Sequence, residues 1–433
     1  MKRDFSKKLD EWAAAADRKP LVIRGMRQTG KTWCVREFAA RRFEGRFCEV
    51  DFEFSAEWRS VFDRDLDPVR ICRDLEALSG VDIVPGETLL FFDEIQLCPR
   101  ALESLRYFKE KMPLLHVVAA GSLLDFALEE RPFPVGRVDF ADLAPLSFAE
   151  FLDATGRGRL SEIVRGGPAA LSEALHSRLL ECVKEYCLVG GLPECVKKWA
   201  ETGSYRTVRG VQGSLVVAFE QDFGKYPEKM DSATLGDVWR GANAGVSHQI
   251  SWAGLSRDHA GATNKRAFSL LAKARLLHES RAVSAAAFPF DASATPRIKP
   301  FAGDVGLFQA RAGMPAGAAI LNGDILGVHR GALAEQFVAQ ELVAARGRDS
   351  LHWWKRESPG SVAEVDFVVS GNGRVVPIEV KSGPGGRLRS LHQLLAENPG
   401  AADGVVLSSA PFGDLPEQRL RFVPIYFAGS LAR

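Results

Sequence analysis

No uninterrupted apolar run in this 433-residue sequence approaches the roughly 18 residues that a membrane helix requires. The best stretches, Leu114 to Ala120 and Leu89 to Phe92, are short and end in polar residues, so the chain is not expected to span a bilayer. A secretory leader is not expected either. The opening MKRDFSKKLDEWAAAADRKP is basic but carries Asp4, Asp10, Glu11 and Asp17 where a signal peptide has its apolar core. The seven cysteines, at 34, 48, 72, 98, 182, 187 and 195, never form a CxxC pair. That scatter offers no zinc site and fits reduced thiols in the cytoplasm. Neither charge is in excess: 56 Lys and Arg face 55 Asp and Glu, for a net charge of +1. Such a balance argues against a globally basic nucleic-acid coat, while leaving room for a local basic groove. No period of about 20 to 50 residues recurs, which excludes a repeat architecture.

What is present has the composition of a folded protein, 46% hydrophobic and 26% charged. At about 100 to 200 residues per domain, the length suggests two to four domains. The first strong signal follows the apolar run Leu21-Val22-Ile23. There the sequence reads GMRQTGKT, through Gly25, Met26, Arg27, Gln28, Thr29, Gly30, Lys31 and Thr32, and continues into the helical-looking WCVREFAARRF. Strand, glycine loop and helix in this order form a phosphate cradle. The glycines let backbone N–H groups turn inward, and the helix adds the positive end of its dipole. Lys31 is then expected on the β- and γ-phosphates of ATP and the Thr32 hydroxyl on Mg²⁺. A plain glycine turn is the alternative.

A buried-strand run, Thr88 to Phe92, ends in Asp93-Glu94. Two carboxylates at the end of an apolar strand are costly unless they meet a cation, so Asp93 is expected to serve Mg²⁺ and Glu94 to polarise the attacking water. An acidic helix cap is the competing use. Between the two motifs lies a further strand candidate, Phe47 to Phe52, the pattern of additional-strand ATPases. A third run, His116 to Ala120, leads to Ser122, which is placed either to sense the γ-phosphate or to cap the helix that follows. Arg137, just before the strand candidate Val138 to Ala141, is the first choice for a transition-state arginine, and Arg131 the second. An ordinary surface arginine remains open for either position. An arginine acting in trans would require a homo-oligomer.

Together GMRQTGKT, LLFFDEIQ, AAGSLL, VGR followed by LAPLSFAEFL, and GGLP at Gly190 to Pro193 resemble a large bacterial and archaeal group of AAA-like ATPases. Those proteins pair a P-loop domain with a C-terminal domain of uncharacterised function. The resemblance implies ATP binding and hydrolysis, and a GGLP turn closing over the nucleotide. On residues alone that turn is equally a helix end, because apolar residues at Leu171, Leu175, Leu179, Val183 and Cys187 make one stripe stopping at Gly190.

Leu235 to Ala244, Ser251 to Leu255 and Thr263 to Leu277 read as three short helices before a strand-like Leu276 to Val283. In the family this region looks like a winged helix. Lys265, Arg266, Lys273 and Arg275 would then face DNA phosphates, although such modules also dock proteins and a basic helix is often only a solvated face. Ala282 to Asp304 and Arg311 to Ala318 lack periodicity and read as linkers.

Further on, Glu335 lies in a helical run, Gly331 to Ala345, ahead of VAEVDFVVS and RVVPIEVKSG. Period-two alternation puts Glu379 and Lys381 on one strand face, which Asp366 shares if the strands pair as a hairpin. This order resembles the PD-(D/E)XK nuclease core of Holliday-junction resolvases and restriction enzymes. The resemblance implies one or two Mg²⁺ ions on Asp366 and Glu379, completed by Glu335, with Lys381 orienting the attacking water or steadying the phosphorane charge and Gln393 in support. Val365 stands where that pattern has Pro, and a surface hairpin with a Glu–Lys pair is the bland alternative. The expected fold is α/β: an AAA-like P-loop NTPase of the additional-strand type over 1–155, a helical lid and connector over 156–230, a winged helix over 231–300 and a nuclease-like α/β domain over 301–433.

Overall fold

The structure, a computed structural model, describes residues 1–129, 136–226, 230–290, 297–312, 331–358, 360–383 and 388–431. It divides into two compact units, Lys2–Ala144 and Pro145–Arg433 with Met1. Arg131, and most of the expected linker after Arg311, fall outside the described residues.

In the first unit five short strands, β1 (Leu21–Arg24), β2 (Phe47–Asp51), β3 (Leu89–Asp93), β4 (His116–Gly121) and β5 (Asp139–Asp142), form one parallel sheet in the order β2-β3-β4-β1-β5. Parallel strands need crossovers, and helices supply them on both faces, so the central strands are buried on both sides. The residues of β1, β3 and β4 divide between two cores. Ile23, Phe91 and Val118 pack towards Phe5, Trp12, Val35 and Phe38, whereas Val22, Phe92 and Val117 pack towards Ile71, Leu75, Leu105 and Phe108. The strand inserted between β1 and β3 is β4. The candidate that separates the two motifs in sequence, β2, lies instead at the sheet edge.

The second unit begins with helices Phe148–Ala154, Gly158–Gly166, Glu173–Val189, Pro193–Thr202 and Tyr205–Asp222. Along Glu173–Val189 the expected stripe holds at Leu179, Val183 and Cys187 but not at Leu175, which is exposed; His176, Cys182 and Tyr186 complete the buried face. Gly190 and Gly191 end that helix in a crowded polar hub. The Gly191 N–H donates to Asp304 Oδ2 at 2.7 Å, and its carbonyl accepts from Leu146 N at 2.7 Å. A Cβ on Gly191 would lie 2.3 Å from the Leu146 carbonyl oxygen, a backbone atom that cannot swing aside. The GG pair is therefore required by packing within its own unit. Gly191→Ala is expected to destabilise this unit by about 2 to 3 kcal/mol, read as a lowered Tm.

Three helices follow, Ser232–Ala244, Trp252–Leu255 and Gly261–Lys273, then an antiparallel hairpin of β6 (Leu277–Val283) and β7 (Ile298–Ala302). Ile250, between the first two helices, bridges to Ile298. The segment expected as a loose linker thus contains a fully buried strand, β7. A parallel pairing of β6 with β8 (His352–Lys355) and an antiparallel pairing of β8 with β9 (Glu364–Val365) complete a four-stranded sheet, β7-β6-β8-β9. Helix Ala332–Arg346 precedes β8. Beyond it β10 (Phe367–Gly371), β11 (Arg374–Val380), β12 (Gly404–Ser408), β13 (Gly413–Leu415) and β14 (Leu420–Pro424) form a second sheet, ordered β10-β11-β12-β14-β13. Among the described residues no helix is long and apolar enough to cross a membrane.

Candidate nucleotide site and C-terminal acidic cluster

The GMRQTGKT loop leaves the C-terminal end of β1 and enters helix Lys31–Arg42. Its curl uses left-handed backbone at Gln28 (φ 67°) and Gly30 (φ 86°). Gly25 has no room for a side chain, since a Cβ there would lie 2.5 Å from the Leu143 carbonyl oxygen. Thr29 fastens the turn internally through Oγ1 to the Met26 carbonyl, at 2.8 Å. Arg3 fastens it from outside: Nη1 donates to the Thr29 carbonyl at 2.9 Å and Nη2 to the Ala144 carbonyl at 2.7 Å. Arg27 lies 3.8 Å from Glu53.

Lys31 is buried, with Nζ 3.1 Å from both the Gly25 and the Met26 carbonyls, so its ammonium spans the loop that would hold phosphate. Beside it Thr32 Oγ1 donates to Asp93 Oδ2 at 2.7 Å. Burial pushes the Asp93 carboxyl up to about 6, against the lowering effect of the Thr32 hydrogen bond, with Glu94 and Asp51 adding to the rise. A buried carboxylate touching the loop threonine is a donor pair that suits Mg²⁺. Magnesium–nucleotide affinity should therefore fall about tenfold per pH unit below 6 and level off above it, because the proton must leave first. Titration calorimetry, corrected for the nucleotide's own protonation, measures this.

Glu94 adopts left-handed backbone, φ 49° and ψ 45°. Its Oε2 accepts from Ser122 Oγ at 3.2 Å and from the Gln96 amide, while its N–H donates to Asp93 Oδ1 at 3.1 Å. Ser122 thus reaches the Glu94 carboxylate. Arg24, at the same end of the sheet, is held by Asp142 at 3.1 Å and Asp125 at 3.2 Å.

Arg137 stands away from its own loop. It precedes β5, whose Asp139 pairs with Leu21 and whose Asp142 pairs with Arg24. In a parallel sheet that puts Arg137 about 15 Å below the loop end, where it is exposed and lies 3.4 Å from Glu110. It cannot serve its own phosphate loop. Arg3 and Gln96 were not singled out from sequence: one arginine in a basic N-terminus and one glutamine after DE carry no spacing signal.

In the second unit, β10 and β11 pair as an antiparallel hairpin with Phe367 opposite Ile378. Asp366 accepts from Val380 N at 2.8 Å, and Lys381 Nζ lies 2.6 Å from Glu379 Oε1. Glu335, from helix Ala332–Arg346, faces the same charges, and its Oε2, like Glu379 Oε2, is buried with no hydrogen-bond partner among the described residues. Burial raises all three carboxyls, Glu379 to about 8 and Glu335 well above its ordinary value, and their mutual repulsion adds to this.

A residue not anticipated joins them. Lys299 of β7 is 1% exposed, with Nζ 3.3 Å from Glu364, 3.9 Å from Asp366 and 4.7 Å from the Trp353 ring centre. The expected set Glu335, Asp366 and Glu379 is gathered, but not as metal ligands. Among the described residues no three His, Cys, Asp or Glu side chains are arranged to hold a metal ion. The two orphaned oxygens call for a cation, but an ammonium already stands beside Asp366. As arranged, the cluster does not fit the divalent ion that the nuclease resemblance implies. Gln393 donates to Glu397 of its own helix and takes no part. Arg275 is buried with φ 62°, which removes it from any phosphate-facing set.

A glycine loop on β1, with Asp and Glu ending β3 and β4 between the two strands, defines a P-loop nucleotide-binding domain of the additional-strand kind. Residues 17–152 accordingly match the AAA domain family. Residues 180–317 and 330–425 match two domains of unknown function, DUF8612 and DUF4143. No curated protein matches the chain. Among solved structures it is similar to a Walker-type ATPase of Pyrococcus abyssi, at 16% identity and TM-score 0.45, covering 71% of this chain and 94% of that one. It is also similar to the Aeropyrum pernix ORC1 protein in complex with DNA, at 12% and 0.26, covering 74% and 95%. A third is Drosophila ORC bound to DNA, at 13% and 0.29, covering 72% and 85%. Scores below 0.5 establish no shared overall fold, so the domain assignment rests on the 17–152 match and the sheet order.

Proposed function

We propose that the chain is a Mg²⁺-dependent ATPase whose nucleotide state governs engagement of DNA. The observation that carries the ATPase reading is the Thr32–Asp93 contact at 2.7 Å, with Glu94 held next to it by Ser122 and Gln96. Thr32 and Asp93 are the residues that would hold Mg²⁺, which neutralises charge on the β- and γ-phosphates. Backbone N–H groups from Gly25 to Thr32 bind the phosphates, and Lys31 exchanges its two loop carbonyls for phosphate oxygens. Glu94 orients the attacking water and accepts its proton. Magnesium-dependent release of phosphate from ATP, lost in Asp93→Asn, tests this reading.

The DNA part is supported by the helix order, the hairpin and the Ile250–Ile298 bridge, the pattern of a winged helix with Gly261–Lys273 as its recognition helix. Lys265 and Arg266 are exposed there, whereas Arg275 is not. Replacing both exposed residues with Ala is expected to weaken duplex binding in a salt-dependent way. The slope of log K against log salt should drop by about one for each phosphate that is no longer neutralised. An unchanged slope would refute the DNA contact.

A second reading is an ATP-gated switch whose C-terminal fold binds a partner without cutting. The position of Lys299 among the acidic side chains favours it over cleavage.

A further inference from the structure

The C-terminal acidic cluster has an unusual charge count. Four carboxylates, Glu335, Glu364, Asp366 and Glu379, face two ammonium groups, Lys299 and Lys381. Lys381 belongs to the strand pattern that the sequence announces. Lys299 does not: it comes from β7, which lies at the opposite edge of the four-stranded sheet from β9, where Glu364 sits. The two edges are three strand spacings apart, about 14 Å in a flat sheet. The 3.3 Å contact is made by the Lys299 and Glu364 side chains reaching towards each other across β6 and β8, with the ammonium 4.7 Å from the Trp353 ring centre.

That placement is anchored. Three residues after Lys299, Ala302 exchanges two hydrogen bonds with the Gln336 side chain, at 2.8 and 2.9 Å, and Gln336 is the neighbour of Glu335. The same strand therefore fixes the ammonium and registers the helix that supplies Glu335. An ammonium with no water around it is costly, and only carboxylates in contact with it make such burial tolerable.

We propose that Lys299 is a resident cation of this cluster and excludes divalent metal from it: the ammonium beside Asp366, held between that residue and Glu364 over Trp353, repels a Mg²⁺ or Mn²⁺ ion that the orphaned Glu335 and Glu379 oxygens would otherwise take. This inference rests on the nuclease-like reading of the second unit and explains how such a core can keep its acidic residues without loading the metal that phosphodiester cleavage uses. Removing one positive charge from beside a divalent-ion position relieves repulsion in a poorly screened site, so the effect on metal affinity should be large.

The test is Mn²⁺ binding to the nucleotide-free full-length chain, followed through the spectrum of free Mn²⁺, with Asp93→Asn present throughout to silence the nucleotide site. Lys299→Met is expected to bind Mn²⁺ at least tenfold more tightly than the chain retaining Lys299, and Glu379→Gln to abolish the gain. Because Lys299→Met leaves an extra buried negative charge, Lys299→Met with Glu364→Gln keeps the net charge, and thermal unfolding confirms that each variant is folded. Equal or weaker binding in both Lys299 variants would overturn the proposal. If the chain with Lys299 already binds Mn²⁺ tightly through Glu379, the exclusion fails while the nuclease-like reading stands. Absence of binding in every variant would overturn both.

Discussion

Lys31→Ala is expected to lower ATP turnover by about 10³-fold and to weaken nucleotide binding with it. The ammonium is already at the loop, 3.1 Å from the Gly25 and Met26 carbonyls, and it is buried, so its charge is little screened by water. An alanine leaves the carbonyl oxygens facing an incoming polyanion with nothing between them. The loop should remain folded, because Thr29 and Arg3 hold its turn independently of Lys31. Turnover and nucleotide affinity measured on a variant of unchanged Tm distinguish impaired phosphate binding from unfolding.

Glu94→Gln is expected to behave differently: nucleotide binding retained, turnover reduced by about 10² to 10⁴. The amide keeps the size of the side chain, and its oxygen can still accept from Ser122 and Gln96, so the left-handed turn at this position persists. What disappears is the capacity to take a proton from water. The bound nucleotide should then accumulate as ATP, which quenching and separation of the bound fraction would reveal. A Glu94→Gln variant that turns over at the wild-type rate would move the base elsewhere.

The residues proposed for these roles stand out in the sequence because each lies in a short contiguous motif whose chemistry depends on spacing. The hairpin carrying Asp366, Glu379 and Lys381 was legible for a related reason, since period-two alternation sets the faces of a strand. Where meaning depends on which strands become neighbours, the sequence is silent. Chain order offered the strand after the glycine loop as the additional one, but β4 is the strand inserted between β1 and β3. The same limit hid the place of Arg137, which stands near the motifs in sequence and at the far end of the sheet in space. Arg275 looked like part of a basic helix face, yet it follows the helix end and turns inward. Lys299 was hidden in a segment without periodicity; the signal present, though weak, was one lysine inside the run Ile298-Lys299-Pro300-Phe301, a buried strand with a single charge.

The most direct measurement is phosphate release from ATP by the full-length chain, with Mg²⁺ and with the metal chelated, beside Lys31→Ala under the same conditions. The account predicts turnover by the wild type that disappears on chelation and is about 10³-fold lower in the variant. Turnover that survives both the loss of metal and the loss of Lys31, or a wild type that binds no nucleotide, would contradict it.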